Sequence, residues 1–269
     1  MEASFIYEIL IYLITGAVAG FAAGLLGIGG GLLIVPVLTT VFAIYLPGSE
    51  IVHLAIGTSL ATILITSLSS VKAHHGHGAV RWDIVKLLAG GVFIGAFFGG
   101  WSSQFVASQY LATIFGILEL LIALNMLLAL KPKPNRQLPG LAGNSVAGAF
   151  IGQLSSLVGI GGGTLTTPYL VWNNVSMHQA IATSTAVSLP VALAGTFGFL
   201  IGGMNATSLP AYATGYIYWP AFLGIIVASV LTAPLGAKLA HQLPVKQLKR
   251  YFGIFLILLA IKMLFFSHT

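Results

Sequence analysis

Apolar residues run along this chain in long blocks, broken by short polar or glycine-rich stretches. A bilayer core takes about 20 apolar residues per helical crossing. Blocks of that order lie near 5–26, 54–72, 84–104 and 109–130, and again near 140–158, 178–201, 217–239 and 248–266. Two shorter pieces, 32–46 and 164–173, directly follow strings of glycines. The second is too short to cross a full bilayer as a helix, at about 1.5 Å per residue. The pattern predicts an all-α polytopic membrane protein of ten segments, with interrupted or short helices after the Gly-rich strings.

Composition supports this reading. The 269 residues are 57% hydrophobic and only 6% charged, against about 25% charged in soluble domains. The chain has no means of covering itself with a water-facing surface, and a single membrane domain over 1–269 is expected. The N-terminus, "MEASFIYEIL", has no basic leader and carries Glu2 and Glu8. It reads as a first membrane segment rather than a cleavable signal. There is no cysteine, which excludes thiolate metal sites and cysteine nucleophiles.

The basic excess, 11 Lys+Arg against 5 Asp+Glu, falls in clusters between apolar blocks. That is an orientation signal, and no nucleic-acid partner is expected. Lys72, Arg81 and Lys86 mark one cytoplasmic loop, Lys131, Lys133 and Arg136 a second, and Lys238, Lys246, Lys249 and Arg250 a third. The loops near 104–109 and 201–216 hold no Lys or Arg and should face outward. Both termini then lie outside. Re-entrant short segments are the alternative topology.

An internal repeat organises the chain. "GFAAGLLGIGGGLLIVPVL" (20–38) aligns with "GQLSSLVGIGGGTLTTPYL" (152–170) at ten of 19 positions. "HLAIGTSLA" (53–61) follows with "HQAIATSTA" (178–186), and "YLATIFGILELLIALNML" (110–127) with "QLKRYFGIFLILLAIKML" (247–264). The order of matches is kept, and "KPKPNRQLP" (131–139) is the natural boundary between halves 1–135 and 136–269. The loop after the third segment is assigned inside in the first half and outside in the second. Two inverted repeats of about five hydrophobic segments each are therefore predicted. Inverted repeats with interrupted helices typify secondary transporters, whose substrate sits near the midplane between them.

Irregular backbone at membrane depth survives only where protein buries it or a polar cavity receives it. Gly29, Gly30 and Gly31 give conformational freedom and close backbone approach. Pro36 is expected in the first turn of the following helix. Gly161, Gly162, Gly163 and Pro168 repeat the device. Each helix start would aim unpaired N–H groups and a positive dipole end into the break, favouring an anion without a buried Lys or Arg. The alternative is that the glycines serve close helix packing. Nucleotide binding is excluded, because Leu32 and Thr164 stand where a phosphate loop needs its lysine and a dinucleotide fingerprint its last glycine.

Thr58 and Ser59 match Thr183 and Ser184, and their hydroxyls are candidate donors to an oxyanion. Membrane hydroxyls also bond their own helix or a neighbour. Gln153, Ser155, Ser156, Thr164, Thr166 and Thr167 make the second break the more polar one. His53 and His178 open matched segments, either as caps or in proton coupling. Glu119 stands in the middle of an apolar segment, where a carboxylate is costly and functional by default; Leu256 holds its place in the second half. "HHGHG" (74–78) has the composition of a metal-binding tract, but Asp83 is the sole carboxylate close to it, and no metal or cofactor is expected.

The duplicated GxGGGxxxxP string, together with "GAVRWD" (78–83), resembles the sulfite exporter TauE/SafE family, also called the 4-toluene sulfonate uptake permease family. The likeness spans essentially the whole chain. It implies a multi-pass bacterial inner-membrane transporter of sulfite, sulfoacetate or other organosulfonates, often in export, and a homodimer is a candidate assembly. In the second half only Trp219 clearly matches "GAVRWD", at Trp82. From the residues themselves, alternating access with a small anion at the two breaks is the leading mechanism. An anion channel or a membrane sensor is the alternative, and an intramembrane hydrolase using Ser59 with His53 is a third reading.

Overall fold

The computed structural model describes residues 2–46, 48, 50–76, 78–128, 137–240 and 245–266, with side chains described for all of these except 2–5, 245–249 and 266. The linker residues Lys131, Lys133 and Arg136, the proposed boundary at 135/136, His77, and the side chains of Glu2, Lys246 and Lys249 lie outside that description.

Ten α-helices make up the described chain: α1 (Glu2–Leu26), α2 (Gly31–Tyr45), α3 (Ile51–Gly76), α4 (Trp82–Ser102), α5 (Ser108–Leu128), α6 (Leu141–Val158), α7 (Gly163–Trp172), α8 (Met177–Gly202), α9 (Trp219–Ala240) and α10 (Val245–Phe266). A two-stranded hairpin, β1 (Ala213–Thr214) with β2 (Ile217–Tyr218), precedes α9. Seven of the helices are long and apolar enough to cross a membrane, and α2 and α7 are the short pieces, of 15 and 10 residues. Large apolar side chains such as Ile14, Phe98, Phe150 and Leu231 point outward, as lipid-facing residues should.

Small residues bring the helices together. Gly16, Gly20 and Gly24 of α1 back onto Ile225, Ser229 and Ala233 of α9. In the same way Gly91, Gly95 and Gly99 of α4 back onto Ser145, Ala149 and Gln153 of α6. A spacing of four keeps small residues on one helix face, so backbones approach closely, the main source of helix association in lipid. Residue numbers rise together along the two helices of each pair, so each pair is parallel.

Several helix pairs exchange between the first and second halves of the chain. α1 lies on α9 as α6 lies on α4, α3 contacts α9 as α8 contacts α4, and α3–α8 and α5–α10 pair across the centre. Directions follow from named contacts. His74 at the end of α3 bonds the Gly24 carbonyl near the end of α1 at 3.1 Å, so α1 and α3 run together. Gly57 and Gly195 meet Phe199 and Leu60, so α8 opposes α3. α4 runs with α8, as Arg81 bonds Thr183 and Gly198 backs onto Phe97. Thus α1, α3 and α9 run one way and α4, α6 and α8 the other. Lys72, Arg81, Lys86 and Lys238 gather at one end of the bundle, and the hairpin marks the other.

Among the described residues, four helices hold an internal proline. Each removes one helical N–H and leaves a carbonyl one turn back without its donor. Pro234 frees the Val230 carbonyl, which accepts instead from Ser69 of α3 at 3.0 Å. Pro36 and Pro168 are each the sixth residue of their helices, which corrects the expected first-turn placement. The helices already begin at Gly31 and Gly163, so the prolines sit one turn further in.

Candidate functional site: two crossed glycine breaks

α1 stops at Leu26 because the next residues leave right-handed space. Gly27, Gly29 and Gly30 have φ of 69°, 76° and 82°, values that side chains with a Cβ adopt only at a cost. Gly159 and Gly161 have φ of 71° and 62° at matched positions after α6. The Gly159 and Ile160 amides bond back to Ser156 and Ser155, both at 3.1 Å, closing α6. Restart is abrupt in both halves. The Gly30 carbonyl accepts from Leu33 and Ile34 at 3.0 and 3.2 Å, and the Gly162 carbonyl from Thr166 at 2.9 Å.

The two breaks touch each other. A β-carbon on Gly31 would fall on the Gly159 carbonyl, and one on Gly163 would fall on the Gly27 carbonyl. Gly29 and Gly161 face one another, each β-carbon position lying 3.7–3.8 Å from the other residue's α-carbon. Both abut Ile63, midway along the 26-residue α3. Gly31 and Gly163 are thus required by close backbone crossing, and the space beside each is filled by the backbone of the other break. The two readings of the glycine strings, close packing and a backbone-lined site, fall in the same place.

At the crossing, the amides of Gly31 and Leu32 and those of Gly163, Thr164 and Leu165 have no acceptor among the described residues. These are the orphan donors of two helix starts. Around them stand buried hydroxyls. Ser59 donates to the Gly159 carbonyl at 3.0 Å, Thr164 lies 3.4 Å from the Ile28 carbonyl, and Thr167 donates to Gly163 at 2.8 Å and pairs with Ser184 at 2.7 Å. Ser155, Ser156 and Thr166 are fully buried and find no partner among the described residues. Unpaired donors without a countering acid offer a weakly charged, positive lining suited to an anion.

The remaining candidates separate. Thr58 and Thr183 each accept a backbone amide, from Tyr218 at 2.9 Å and Arg81 at 3.0 Å. These bonds fix the entries to α9 and α4. Gly78 and Gly215, with φ of 65° and 53°, precede them by three residues. The second half therefore does hold the counterpart of "GAVRWD", in "GYIYWP" (215–220). Sequence comparison missed it because the shared element is an amide, which Arg81 and Tyr218 supply equally. Gln153 is exposed on α6, off the face made by Gly152, Ser155 and Ser156, and Pro168 is exposed while Pro36 is buried. Neither Gln153 nor Pro168 joins the buried crossing.

His53 is buried at the hairpin end, with its ring nitrogens 3.0 Å from the Ser103 carbonyl and 3.1 Å from Ser108 Oγ. It stacks on Tyr216 and lies 3.8 Å from Glu50. Its counterpart His178 is exposed. Ser59 and His53 spend their hydrogen bonds on different partners and form no nucleophile–base pair. In the histidine tract, His74 bonds Gly24 just before the first break and His75 accepts from the Trp82 indole at 3.1 Å. The role of His74 had no signal in the sequence beyond its place in the histidine tract. Glu119 lies apart from the crossing, fully buried in α5.

Comparison with known proteins agrees with this architecture. A probable membrane transporter protein of Haemophilus influenzae is 39% identical over 258 residues, covering 95% of this chain and 97% of its own. Proteins given the same description are 28% identical in Xylella fastidiosa, covering 95% of each chain, and 26% identical in Methanocaldococcus jannaschii, covering 93% of this chain and 92% of that one. No solved structure matches the chain. The family model for the sulfite exporter TauE/SafE matches residues 12–263. With ten helices among its described residues, its glycine breaks and this match along nearly its whole length, the chain is a multi-pass membrane protein that belongs to the sulfite exporter TauE/SafE family.

Proposed function

We propose that this protein carries small sulfur-containing anions, sulfite, sulfoacetate or related organosulfonates, out across the cell inner membrane by alternating access. The observation that carries the reading is the crossing of two glycine breaks, which leaves orphan amides from both halves beside buried hydroxyls and no acid. The opposed directions of α1 and α6, α3 and α8, and α4 and α9 support an inverted repeat of 1–135 and 136–269. Such a repeat lets one half rock against the other around a fixed midplane site. In this scheme Gly29–Gly31 and Gly161–Gly163 line the site, with Ser59, Thr164 and Ser184 beside them. The buried, closed crossing fits an occluded form, and opening it on either side would expose the same amides alternately.

An interior-negative potential drives an anion outward by about 2.3 kcal/mol per charge per 100 mV, so export needs no further energy source. The test is flux in proteoliposomes across sulfite, sulfoacetate, other sulfonates, thiosulfate and chloride, with and without imposed potential. Saturable movement of sulfur anions, with counterflow, is expected. Non-saturating flux would favour a channel, and binding without flux a sensor. Replacing Gly30 or Gly162 by leucine should abolish flux in protein that still inserts; full activity would refute the site.

A further inference from the structure

Glu119 sits near the midpoint of the 21-residue α5 and is fully buried. Neither carboxyl oxygen has a hydrogen-bond partner among the described residues. α5 lies antiparallel on α10, with Gly116 against Ala260 and Leu264, and Gly253 against Ala123 and Leu127. That register sets Glu119 at the level of Leu256, itself fully buried. Leu256 is also the residue that holds this position in the second half. One half fills the place with hydrocarbon, and the other puts an ionisable group there at a substantial cost.

Among the described side chains, no charge relieves that cost. α5 packs against α10, α3 and α6. On α10, Arg250, Tyr251 and Lys262 are exposed and lie about six residues to either side of Leu256. On α3, His53 faces Ser108 at the hairpin end, while Lys72, His74 and His75 lie at the opposite end. α6 carries no titratable residue, and Tyr110, the other titratable group of α5, is exposed. A carboxyl so enclosed persists as the neutral acid. Even as the acid it leaves its O–H undonated, so a conformation that hydrates it or brings it an acceptor is favoured locally.

We propose that Glu119 is a proton-carrying site, protonated when buried as it is here and exchanging its proton when the α5–α10 seam opens, so that anion movement is coupled to proton movement. This rests on the transport reading. The carboxyl gains and loses one proton at a single oxygen, with no other bond made or broken.

Two measurements test it. Purified protein in liposomes is treated with dicyclohexylcarbodiimide, to which protonated carboxyls in apolar surroundings add, their proton going to nitrogen, to give a stable N-acylurea, and the products are mapped by mass spectrometry. Glu119 should be labelled at neutral pH, less as the solution is made alkaline, while exposed Asp83 stays unlabelled. Absence of label at Glu119 from acid to alkaline solution would overturn the proposal. The second reading is uptake of labelled sulfoacetate, and of sulfite, driven by a pH gradient at clamped zero potential. Glu119→Gln should lose the gradient-driven component at least tenfold while keeping counterflow. Glu119→Leu, which copies the second half, checks that the seam still folds and should behave alike. A wild-type response to the gradient in either variant, or no gradient response in the wild type while counterflow persists, would also overturn it. If no anion moves under any condition, the transport reading itself fails, and the carbodiimide pattern still reports whether Glu119 carries a proton.

Discussion

A methyl group is the smallest change available to a glycine, and here it discriminates between positions. At Gly31 or Gly163 an added Cβ meets the carbonyl of the opposite break, whose backbone has no flexible side chain to move aside. Gly31→Ala and Gly163→Ala should each lower stability by about 1–3 kcal/mol, the usual cost of overpacking. Gly90 of α4 has nothing within 4 Å of that position. Gly90→Ala should leave the protein as stable or raise it by up to about 1 kcal/mol, the helix-propensity gain. Thermal unfolding in detergent, followed by size-exclusion chromatography, compares all three. Ser59 offers a different contrast. Its hydroxyl bonds the Gly159 carbonyl and does not meet His53, so Ser59→Ala should weaken transport without abolishing it. Complete loss of function with labelling of the wild type by a serine-reactive probe would instead support a hydrolase.

At the scale of elements, the chain announced its helices far better than its connections. Long apolar blocks and the glycine strings located all ten helices, and the short ones were legible because Gly31 and Gly163 start them. The prolines misled, since proline is tolerated in a first turn and the helices had already begun five residues earlier. The β1–β2 hairpin was invisible in an apolar stretch that reads as a helix start. It is held by Tyr218, whose amide reaches Thr58, and by Tyr216 packed on His53 and Phe199. Matching Thr58 to Thr183 was possible from sequence, but their partners were not, because backbone amides leave no residue signature. Thr58→Val deletes the acceptor of a buried amide and should cost about 1–3 kcal/mol. Thr183→Val should cost less, because the Arg81 amide is only partly buried. Thr58→Ser should recover most of the loss, read by the same unfolding assay.

For the whole molecule, charge alone suggested that the halves oppose one another, and the exchanged pairs α1–α9 and α6–α4, with their opposed directions, support that proposal. The positive-inside rule puts the end bearing Lys72, Arg81, Lys86 and Lys238 in the cytoplasm. Because the chain has no cysteine, single cysteines report sidedness cleanly. Ala107→Cys and Ser208→Cys, both exposed near the hairpin end, should react with a membrane-impermeant maleimide in intact cells. His75→Cys, exposed at the other end, should react only after permeabilisation. The reverse pattern would invert the molecule in the membrane. What the sequence left hidden at this scale is that the two strings meet: a repeat marks similar elements, and only the packed chain brings Gly31 to Gly159 and Gly163 to Gly27.

In the proposed mechanism, backbone amides of the crossed breaks hold the anion. An experimental structure determined with selenite, a heavier analogue of sulfite that scatters anomalously, tests it most directly. One anomalous peak is expected at the crossing, within hydrogen-bonding distance of amides in both 28–32 and 161–165. Selenite that competes with sulfite flux yet binds elsewhere, leaving both breaks without it, would rule out an amide-lined anion site.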